Sequence, residues 1–335
     1  MSARIAAVEY YLPEAVLDNE ALAAEFPEWS VDKISAKTGI ERRHISASDE
    51  FSSDLAIAAG QALFTRRGID PATIEYLIVC TQSPDFYLPS TACIVQDALG
   101  IPTTAGATDI TLGCSGYIYA LGLAKGLIES GQVSNVLVVT ADTYTKFINP
   151  ADKSVRTIFG DGAAATLVTD DGTAESITGI TYGTDGSGAK SLIVPSGGLR
   201  PGASLQPKSD VVTRELETSG YDLFMDGPDI FNFTLAVVPK AVDNILAKAG
   251  VAFDDIDLFV FHQANAFMLE HLRKKLAVPA ERFFVSLSES GNTVSSTIPI
   301  ALADAERQGA LTSGMRVMLL GFGVGLSWGG LITTW

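Results

Sequence analysis

The sequence has few basic residues and few histidines. Lysine and arginine together number 23 of its 335 residues, against 39 aspartates and glutamates, so the formal net charge is −16. This balance argues against a nucleic-acid partner, because phosphate binding needs a concentrated basic surface. The short basic stretches RRH at 42–44, RR at 66–67 and RKK at 273–275 are each predicted to lie on solvated surface.

Long apolar runs and paired cysteines are also missing. No run of about 18 apolar residues would span a membrane, and Pro13 interrupts the N-terminus before a signal core could form. We therefore expect a soluble cytoplasmic protein with no membrane partner. Cys80, Cys93 and Cys114 lack the spacing of a disulfide framework or a metal site. Cys93 is predicted to face the core from a helix, and Cys80 to end a buried strand.

A repeat is present in the chain. Residues 62–80 and 244–262 each read as a helix that ends at a glycine, followed by an acidic turn and a buried strand. Residues 126–142 and 305–323 repeat the order of helix, glycine turn and strand. Fully apolar strands indicate sheets covered by helices on both faces. The sequence therefore predicts a duplicated α/β fold with halves at 1–172 and 173–335.

Residues 184–219 interrupt this pattern. They are rich in glycine, proline and serine and show little periodicity. A structureless segment of this length inside a folded domain is commonly functional. We expect it to form an excursion over a substrate entrance.

Residues suited to catalysis fall at predicted strand ends. Cys114 lies between the strand-like TDITLG and an apolar helix, where free amides and the helix dipole would favour a thiolate. His262 follows the buried strand DLFVF, and Asn292 follows a glycine turn. The segment GFGVG offers backbone amides at a tight bend. Each feature alone has a structural reading, but together they indicate a site for covalent catalysis.

The motifs GCSGYIYAL, FGDGAAA, HQAN, GNTVSSTIP and GFGVGLSWG resemble the β-ketoacyl-[acyl-carrier-protein] synthase III family of the thiolase superfamily. TGIERRHIS and LPSTACIVQDALG match that family as well, so the resemblance runs nearly end to end. It implies a duplicated thiolase-like fold of five layers, αβαβα, with two mixed sheets. It also implies a homodimeric acyltransferase, either an initiator of fatty acid biosynthesis or a specialised relative that serves a secondary-metabolite or surface-glycan pathway.

The resemblance further implies a mechanism. Cys114 would accept an acyl group from acyl-CoA or acyl carrier protein. His262 and Asn292 would then bind the thioester carbonyl of malonyl carrier protein while it loses CO₂ and condenses with the acyl group. The amides of Cys114 and Val324 would hold the oxygen of the acyl-enzyme. These steps require no metal and no permanently bound cofactor.

The expected substrate-binding residues depart from the family pattern. Lys33 stands where the family often has a tryptophan that stacks on the adenine of CoA, so adenine stacking is not expected. Lys37 and Lys153 stand where arginines are common. Phe267 replaces a frequent carrier-docking arginine, and that role is assigned to Arg273, Lys274 and Lys275. Leu88 stands where the family often has a phenylalanine that crosses the dimer interface and limits the acyl pocket of the partner, so a longer or differently shaped pocket is expected. The remaining predicted substrate contacts and pocket walls are Phe224, Met225, Phe231 and Asn265.

Two other functions remain open. An acyltransferase on the same scaffold would pass the acyl group to an alcohol or amine without decarboxylation, with His262 as general base. Asn292 favours condensation, because an enolate needs a second donor more than a simple transfer does. A non-catalytic partner subunit is the third function, and the complete set of Cys114, His262 and Asn292 argues against it.

Overall fold

A computed structural model describes residues 2–170, 172, 176–200 and 220–335. In the N-terminal half the strands are β1 (Ala3–Tyr11), β2 (Ala15–Asp18), β3 (Arg42–Ile45), β4 (Tyr76–Cys80), β5 (Gly106–Ile110), β6 (Asn135–Asp142) and β7 (Gly162–Asp170). The helices there are α1 (Asn19–Glu25), α2 (Val31–Thr38), α3 (Ser52–Arg67), α4 (Thr91–Ala98), α5 (Gly116–Glu129) and α6 (Lys153–Arg156).

The C-terminal half continues the same alternation of helices and strands. Its strands are β8 (Ile177–Thr184), β9 (Leu192–Ile193), β10 (Phe224–Met225), β11 (Leu258–Phe261), β12 (Arg316–Gly323) and β13 (Ser327–Thr334). Its helices are α7 (Gly227–Ala249), α8 (Ala266–Lys275) and α9 (Thr297–Arg307).

The two large sheets have the same topology. The first has the order β1-β7-β6-β4-β5, in which β1 and β6 pair antiparallel with β7, and β4 pairs parallel with β6 and β5. The second has the order β8-β13-β12-β11, with two antiparallel pairings followed by a parallel one. Phe283 adds a parallel bridge to Phe259, at the position that β5 holds in the first sheet. The predicted duplication is therefore confirmed.

Helices cover both faces of each sheet. The outer face of the first sheet packs on α3 and α4, whereas α5 and α9 lie between the two sheets and α7 covers the second. Along β6, Val136 and Val138 face the central helices, while Leu137 and Val139 face α3. Both faces of the strand are buried, which explains its continuous apolar run. The predicted five layers, αβαβα, are confirmed.

One helix of the described residues, α7, has the length and composition of a membrane span. Core helices have the same properties, and the buried face of α7 packs Val238, Val242 and Ile245 into the cluster of the second sheet. The predicted excursion is only partly described: Leu192 and Ile193 form β9, paired with β10, and residues 201–219 lie outside the described residues. Its role at an entrance and the boundary between residues 172 and 173 stay predictions.

Two predictions of exposure or burial from the sequence are wrong. Arg43 of the RRH stretch is fully buried, and its guanidinium donates to the carbonyl oxygen of Thr157 at 3.0 and 2.6 Å. Burial lowers the pKa of Arg43 to about 10. Carbonyl oxygens and Asn19 satisfy its donors, as a buried polar group requires. Cys93, predicted to face the core, is exposed, whereas Cys80 is buried at the end of β4.

A buried carboxylate joins the two halves. Glu9 on β1 is 5% exposed and accepts from Arg66 and Arg67 of α3 at 3.0 Å and from Arg307 of α9 at 2.5 Å. Burial raises the pKa of Glu9. The hydrogen bonds from Arg66 and Arg307 and the nearby positive charges together lower it by more than burial raises it, so the net shift is downward. Glu9 is therefore ionised in the folded protein at neutral pH.

We expect Glu9→Gln to lower the free energy of unfolding at neutral pH by about 2 kcal/mol, because three arginines then lose their shared carboxylate. The pKa of Glu9 is lowered on folding, so its contribution is present above the unfolded value of 4.5 and is lost as the pH falls through the folded pKa. Urea unfolding from about pH 7 to about pH 3 measures both effects. The exposed Glu14 provides a control, Glu14→Gln. Identical acid dependence in both variants would contradict the assignment.

Candidate active site

Cys114, His262 and Asn292 line one cavity of about 610 Å³. Cys114 lies two residues before α5, His262 directly follows β11, and Asn292 lies in the loop before α9. Their exposed fractions are 5%, 2% and 4%. The fold thus brings together residues from both halves that lie up to 178 positions apart in the chain (292 minus 114).

The thiol of Cys114 is shielded from water. Burial raises the pKa of Cys114 to about 12, although a hydrogen bond from the Val324 amide and one from its own amide act in the opposite direction. The buried carboxylate of Asp142 raises it further. Cys114 is therefore protonated at neutral pH. The expectation of a thiolate was wrong, because it weighed the helix N-terminus and not the burial.

Two glycines of β12 permit close approach to this cysteine. A Cβ on Gly323 would lie 2.8 Å from Sγ of Cys114, and a Cβ on Gly321 would lie 2.6 Å from its carbonyl oxygen. Side chains at either position would push the strand away. The turn after β12 therefore holds the Val324 amide against the sulfur.

The amide of Asn292 has a fixed orientation. Its Oδ1 accepts from the backbone N–H of Val294 at 2.9 Å, so Nδ2 remains as the donor on the other side. The backbone of Asn292 is held by Ile158 and Gly160, at 2.9 and 3.1 Å, next to the FGDG motif. Val294 has φ 57°, a strained conformation for a β-branched residue, and such strain clusters at functional sites.

The imidazole of His262 is neutral and oriented from two sides. Its Nδ1 lies 2.7 Å from Oγ1 of Thr297, and its ring meets Phe322 edge-on at 5.5 Å between centroids. Burial lowers the pKa of His262 to about 3. A histidine with this pKa is a weak base at neutral pH but still carries one N–H that can donate.

A buried carboxylate, which the sequence analysis missed, supports the loop of Asn292. Asp142 at the end of β6 accepts from the amide of Gln82 at 2.9 Å and from Ser295. Burial raises the pKa of Asp142 to about 7, although these hydrogen bonds act to lower it. The only signal in the sequence is an aspartate at the end of an apolar strand, which has no specific meaning without the contact to Ser295.

One wall of the cavity is aromatic and cationic. Trp29 is 8% exposed, and the amines of Lys33, Lys37 and Lys153 lie 5.3, 4.6 and 5.6 Å from its ring centroid. Such contacts are favourable cation–π interactions. Of the three predicted lysines, Lys37 is among the residues that line the cavity, whereas Lys33 and Lys153 are not. Trp29, which lies four residues before Lys33, was not predicted from the sequence.

The other predicted substrate residues divide between two places. Lys37, Met225, Phe231, Asn265 and Phe267 line the cavity, and Asn265 also caps α8 by accepting from the Met268 amide at 2.8 Å. Phe224 is not among the lining residues and pairs with Ile193 between β10 and β9. The predicted docking group is partly neutralised, because Arg273 and Lys274 both bind Glu270 at 2.8 and 3.2 Å.

Leu88 lies away from this cavity, in an exposed apolar segment. Phe86, Tyr87 and Leu88 are 59%, 74% and 83% exposed. Phe86 and Tyr87 line a second cavity of about 980 Å³ whose wall also includes Val324.

The fold and the residues on this cavity define a thiolase-type enzyme with a cysteine at the junction of its two repeats. Family models agree: residues 108–186 match 3-oxoacyl-[acyl-carrier-protein] synthase III, and residues 246–335 match the C-terminal part of the same family. A curated relative, β-ketoacyl-[acyl-carrier-protein] synthase III of Caldanaerobacter subterraneus, is 37% identical over 97% of this chain and 95% of its own.

Solved structures give the same result. A 3-oxoacyl-(acyl-carrier-protein) synthase III is 48% identical over the whole of both chains, with a TM-score of 0.94. The priming β-ketosynthase from the R1128 polyketide biosynthetic pathway is 30% identical over 99% of this chain and 96% of its own, with a TM-score of 0.87. The chain belongs to the β-ketoacyl-[acyl-carrier-protein] synthase III family. It is a condensing enzyme of the acyltransferase class.

Proposed function

We propose that this enzyme condenses an acyl group held on Cys114 with malonyl carrier protein and releases CO₂ and a β-ketoacyl thioester. The observation that carries this proposal is the presence of two separate sets of donors on one cavity. The first set consists of the backbone amides of Cys114 and Val324, which converge on the sulfur. The second set consists of side-chain donors of Asn292 and His262, which are separate from those amides. Two carbonyl oxygens develop charge in such a condensation, and each then has its own donors.

The first step transfers the acyl group. The sulfur of Cys114 attacks the carbonyl carbon of an acyl thioester, and the bond to the CoA or carrier sulfur breaks. The thiol proton ends on the departing thiol, so no net charge remains in the buried site. The amides of Cys114 and Val324 stabilise the oxyanion of the tetrahedral intermediate.

The second step forms the carbon–carbon bond. The bond between the malonyl carboxylate and its CH₂ breaks, CO₂ leaves, and the electron pair forms an enolate whose oxygen is stabilised by Asn292 and His262. The enolate carbon attacks the acyl carbonyl, and the bond to Cys114 breaks. The cysteine sulfur then takes up one proton, which restores the thiol.

Transfer to an alcohol or amine is the less supported function. It would need His262 to remove a proton, and the pKa of about 3 that burial gives His262 makes it a poor base. A neutral imidazole donor suits enolate stabilisation instead. The site therefore favours condensation.

The substrates and partners follow from the walls of the site. The phosphate-bearing arm of the thioester would lie between the lysines around Trp29 and the apolar walls formed by Met225, Phe231 and Phe267. An acidic carrier protein would dock at Lys275 and at the parts of Arg273 and Lys274 that Glu270 leaves accessible. The steps above involve only thioester substrates and need no resident cofactor.

The assembly is proposed to be a homodimer in the cytoplasm. Among the described residues β5 pairs on one side only, and the exposed apolar residues 86–88 lie beside the second cavity. An unpaired edge strand and an exposed apolar segment both favour association. The strand and the segment would meet their counterparts in a second copy.

Intact-protein mass spectrometry with short, medium and long acyl-CoAs and acyl carrier proteins tests the function. We expect a stable acyl adduct with the priming substrate, followed by its discharge with CO₂ release when malonyl carrier protein is added. Discharge by an alcohol or amine and not by malonyl carrier protein would move the enzyme to plain acyl transfer. An adduct from none of these donors would overturn the proposed role of Cys114.

A further inference from the structure

The hydroxyl of Thr297, the first residue of α9, lies between two possible partners. Its Oγ1 is 2.7 Å from Nδ1 of His262 and 3.2 Å from the carbonyl oxygen of Val294. Thr297 is 2% exposed, so both contacts are shielded from water. A hydroxyl has one proton to donate, and its direction decides which nitrogen of His262 carries the imidazole proton.

The distances favour one arrangement. Hydroxyl hydrogen bonds to oxygen have donor–acceptor distances of about 2.5 to 3.0 Å, so the 3.2 Å contact to Val294 is long for an O–H donor. The 2.7 Å contact to Nδ1 is well within hydrogen-bonding range. If Nδ1 carried the proton, the Thr297 hydroxyl would be left with only the long contact in a buried site, which costs free energy.

We propose that Thr297 is a positioning residue whose hydroxyl donates a hydrogen bond to Nδ1 of His262 and thereby holds the imidazole proton on Nε2. This inference rests on the proposed function, in which His262 donates to the enolate oxygen. With the proton on Nε2, the nitrogen on the cavity side of the ring is a donor beside Asn292. With the proton on Nδ1, the same nitrogen would be an acceptor and would repel the enolate oxygen.

The assignment also separates the two reactions of this scaffold. A donor at Nε2 stabilises the enolate formed when the bond to CO₂ breaks and its electron pair moves onto the thioester. A general base at Nε2 would need the opposite tautomer to take a proton from an alcohol or amine. The hydrogen bond from Thr297 therefore favours condensation over transfer, because it keeps Nε2 of His262 a donor.

The other two histidines provide an internal reference. Nδ1 of His44 lies 2.5 Å from the carbonyl oxygen of Pro13, and Nδ1 of His271 lies 2.8 Å from that of Phe267. A carbonyl oxygen can only accept, so both rings carry a proton on Nδ1. His262 is then the one histidine of the three in the sequence that is expected to carry its proton on Nε2 alone.

The first test reads the tautomer without turnover. Two-bond ¹H–¹⁵N correlation spectra of the histidine-labelled protein at neutral pH distinguish the two neutral tautomers, and His262→Gln identifies the signal by its loss. We expect an Nε2–H pattern for His262. An Nδ1–H pattern or an imidazolium pattern for His262 overturns the proposal, whatever the fate of the proposed function, which the acyl adduct of Cys114 and its discharge test separately.

The second test uses Thr297→Val and Thr297→Ser. Loss of the hydroxyl in Thr297→Val is expected to lower kcat for condensation by about 10- to 100-fold, as for other residues that orient a functional imidazole, while acylation of Cys114 stays close to the wild-type rate. Thr297→Ser keeps the hydroxyl and is expected to restore most of the lost rate.

A matched control separates the hydrogen bond from a general cost of the substitution. Thr333 is fully buried, and its hydroxyl has no hydrogen-bond partner among the described residues, so Thr333→Val changes the same groups at a place remote from the cavity. Wild-type condensation in Thr297→Val, or an equal loss in Thr297→Ser, overturns the proposal. If Thr297→Val does not fold, the wild-type spectrum and the serine variant still decide it.

Discussion

Replacement of Cys114 by alanine is expected to abolish the acyl adduct and to lower the rate of β-ketoacyl product formation by about 10⁴-fold or more, because both steps pass through its sulfur. The two amides that face the sulfur remain in the variant, but they have no covalent intermediate to stabilise. Intact mass after incubation with the priming thioester measures the first effect. Product formation with malonyl carrier protein measures the second.

The chain offers a direct control for this experiment. Cys93 is an exposed thiol, and Cys93→Ala removes a cysteine that is more accessible to reagents than the buried Cys114. We expect Cys93→Ala to form the adduct and the product as the wild type does. An adduct that survives in Cys114→Ala and disappears in Cys93→Ala would show that Cys93 is the acylated residue and would refute the mechanism.

Asn292→Asp is expected to lower the condensation rate by about 10²- to 10³-fold while the Cys114 adduct still forms, because only the second step uses the Nδ2 donor. Aspartate keeps an oxygen that accepts from the Val294 amide, so the loop retains its hydrogen bond. The donor becomes an oxygen that repels the enolate. Rapid-quench measurement of acylation and of CO₂ release separates the two steps.

A distant substitution of the same kind serves as the control for Asn292. Asn135 at the start of β6 donates to the carbonyl oxygen of Thr73 on the protein surface, and Asn135→Asp places the same change away from the cavity. We expect normal condensation from it. Equal slowing of acylation and condensation in Asn292→Asp would make Asn292 a structural residue, and the second set of donors would then have to be sought elsewhere.

These effects are expected to be large because the three catalytic side chains are uncharged at rest. Cys114 is a thiol, His262 is a neutral imidazole, and Asn292 is an amide, all in a buried cavity. Negative charge appears only on the oxygen atoms of the reacting thioesters. Fixed donors are worth most where water does not compete with them, so a single lost donor is not compensated.

Short-range patterns were sufficient for much of the fold. The helix that ends at Gly68 and the helix that ends at Gly250 each precede a buried strand, and both glycines have the left-handed conformation that closes a helix. The repeat of this unit predicted the duplicated sheets. The continuous apolar runs of β6 and β12 predicted that helices cover both faces of each sheet.

Contacts between distant parts of the chain were not predictable in the same way. Arg43 was assigned to the surface because a basic stretch is normally solvated, yet it is buried against Thr157, which lies 114 positions away. Trp29 was missed because its ring meets Lys33 and Lys37 of α2 and Lys153 of α6 only in the folded chain. The thiolate of Cys114 was predicted from its helix, whereas burial by β12 of the other half keeps the thiol protonated.

The sequence by itself determined the repeated α/β fold, the family and the residue types at the site, because periodicity, helix ends and motifs are local properties of the chain. Only the tertiary structure decided the protonation of Cys114 and the partner of His262. The first depends on burial of the thiol against β12 of the other half, and the second on a contact between elements that are distant in the chain. The hydrogen bond between Thr297 and His262 has no local signal, since the two residues lie 35 positions apart and meet only when α9 packs beside the end of β11.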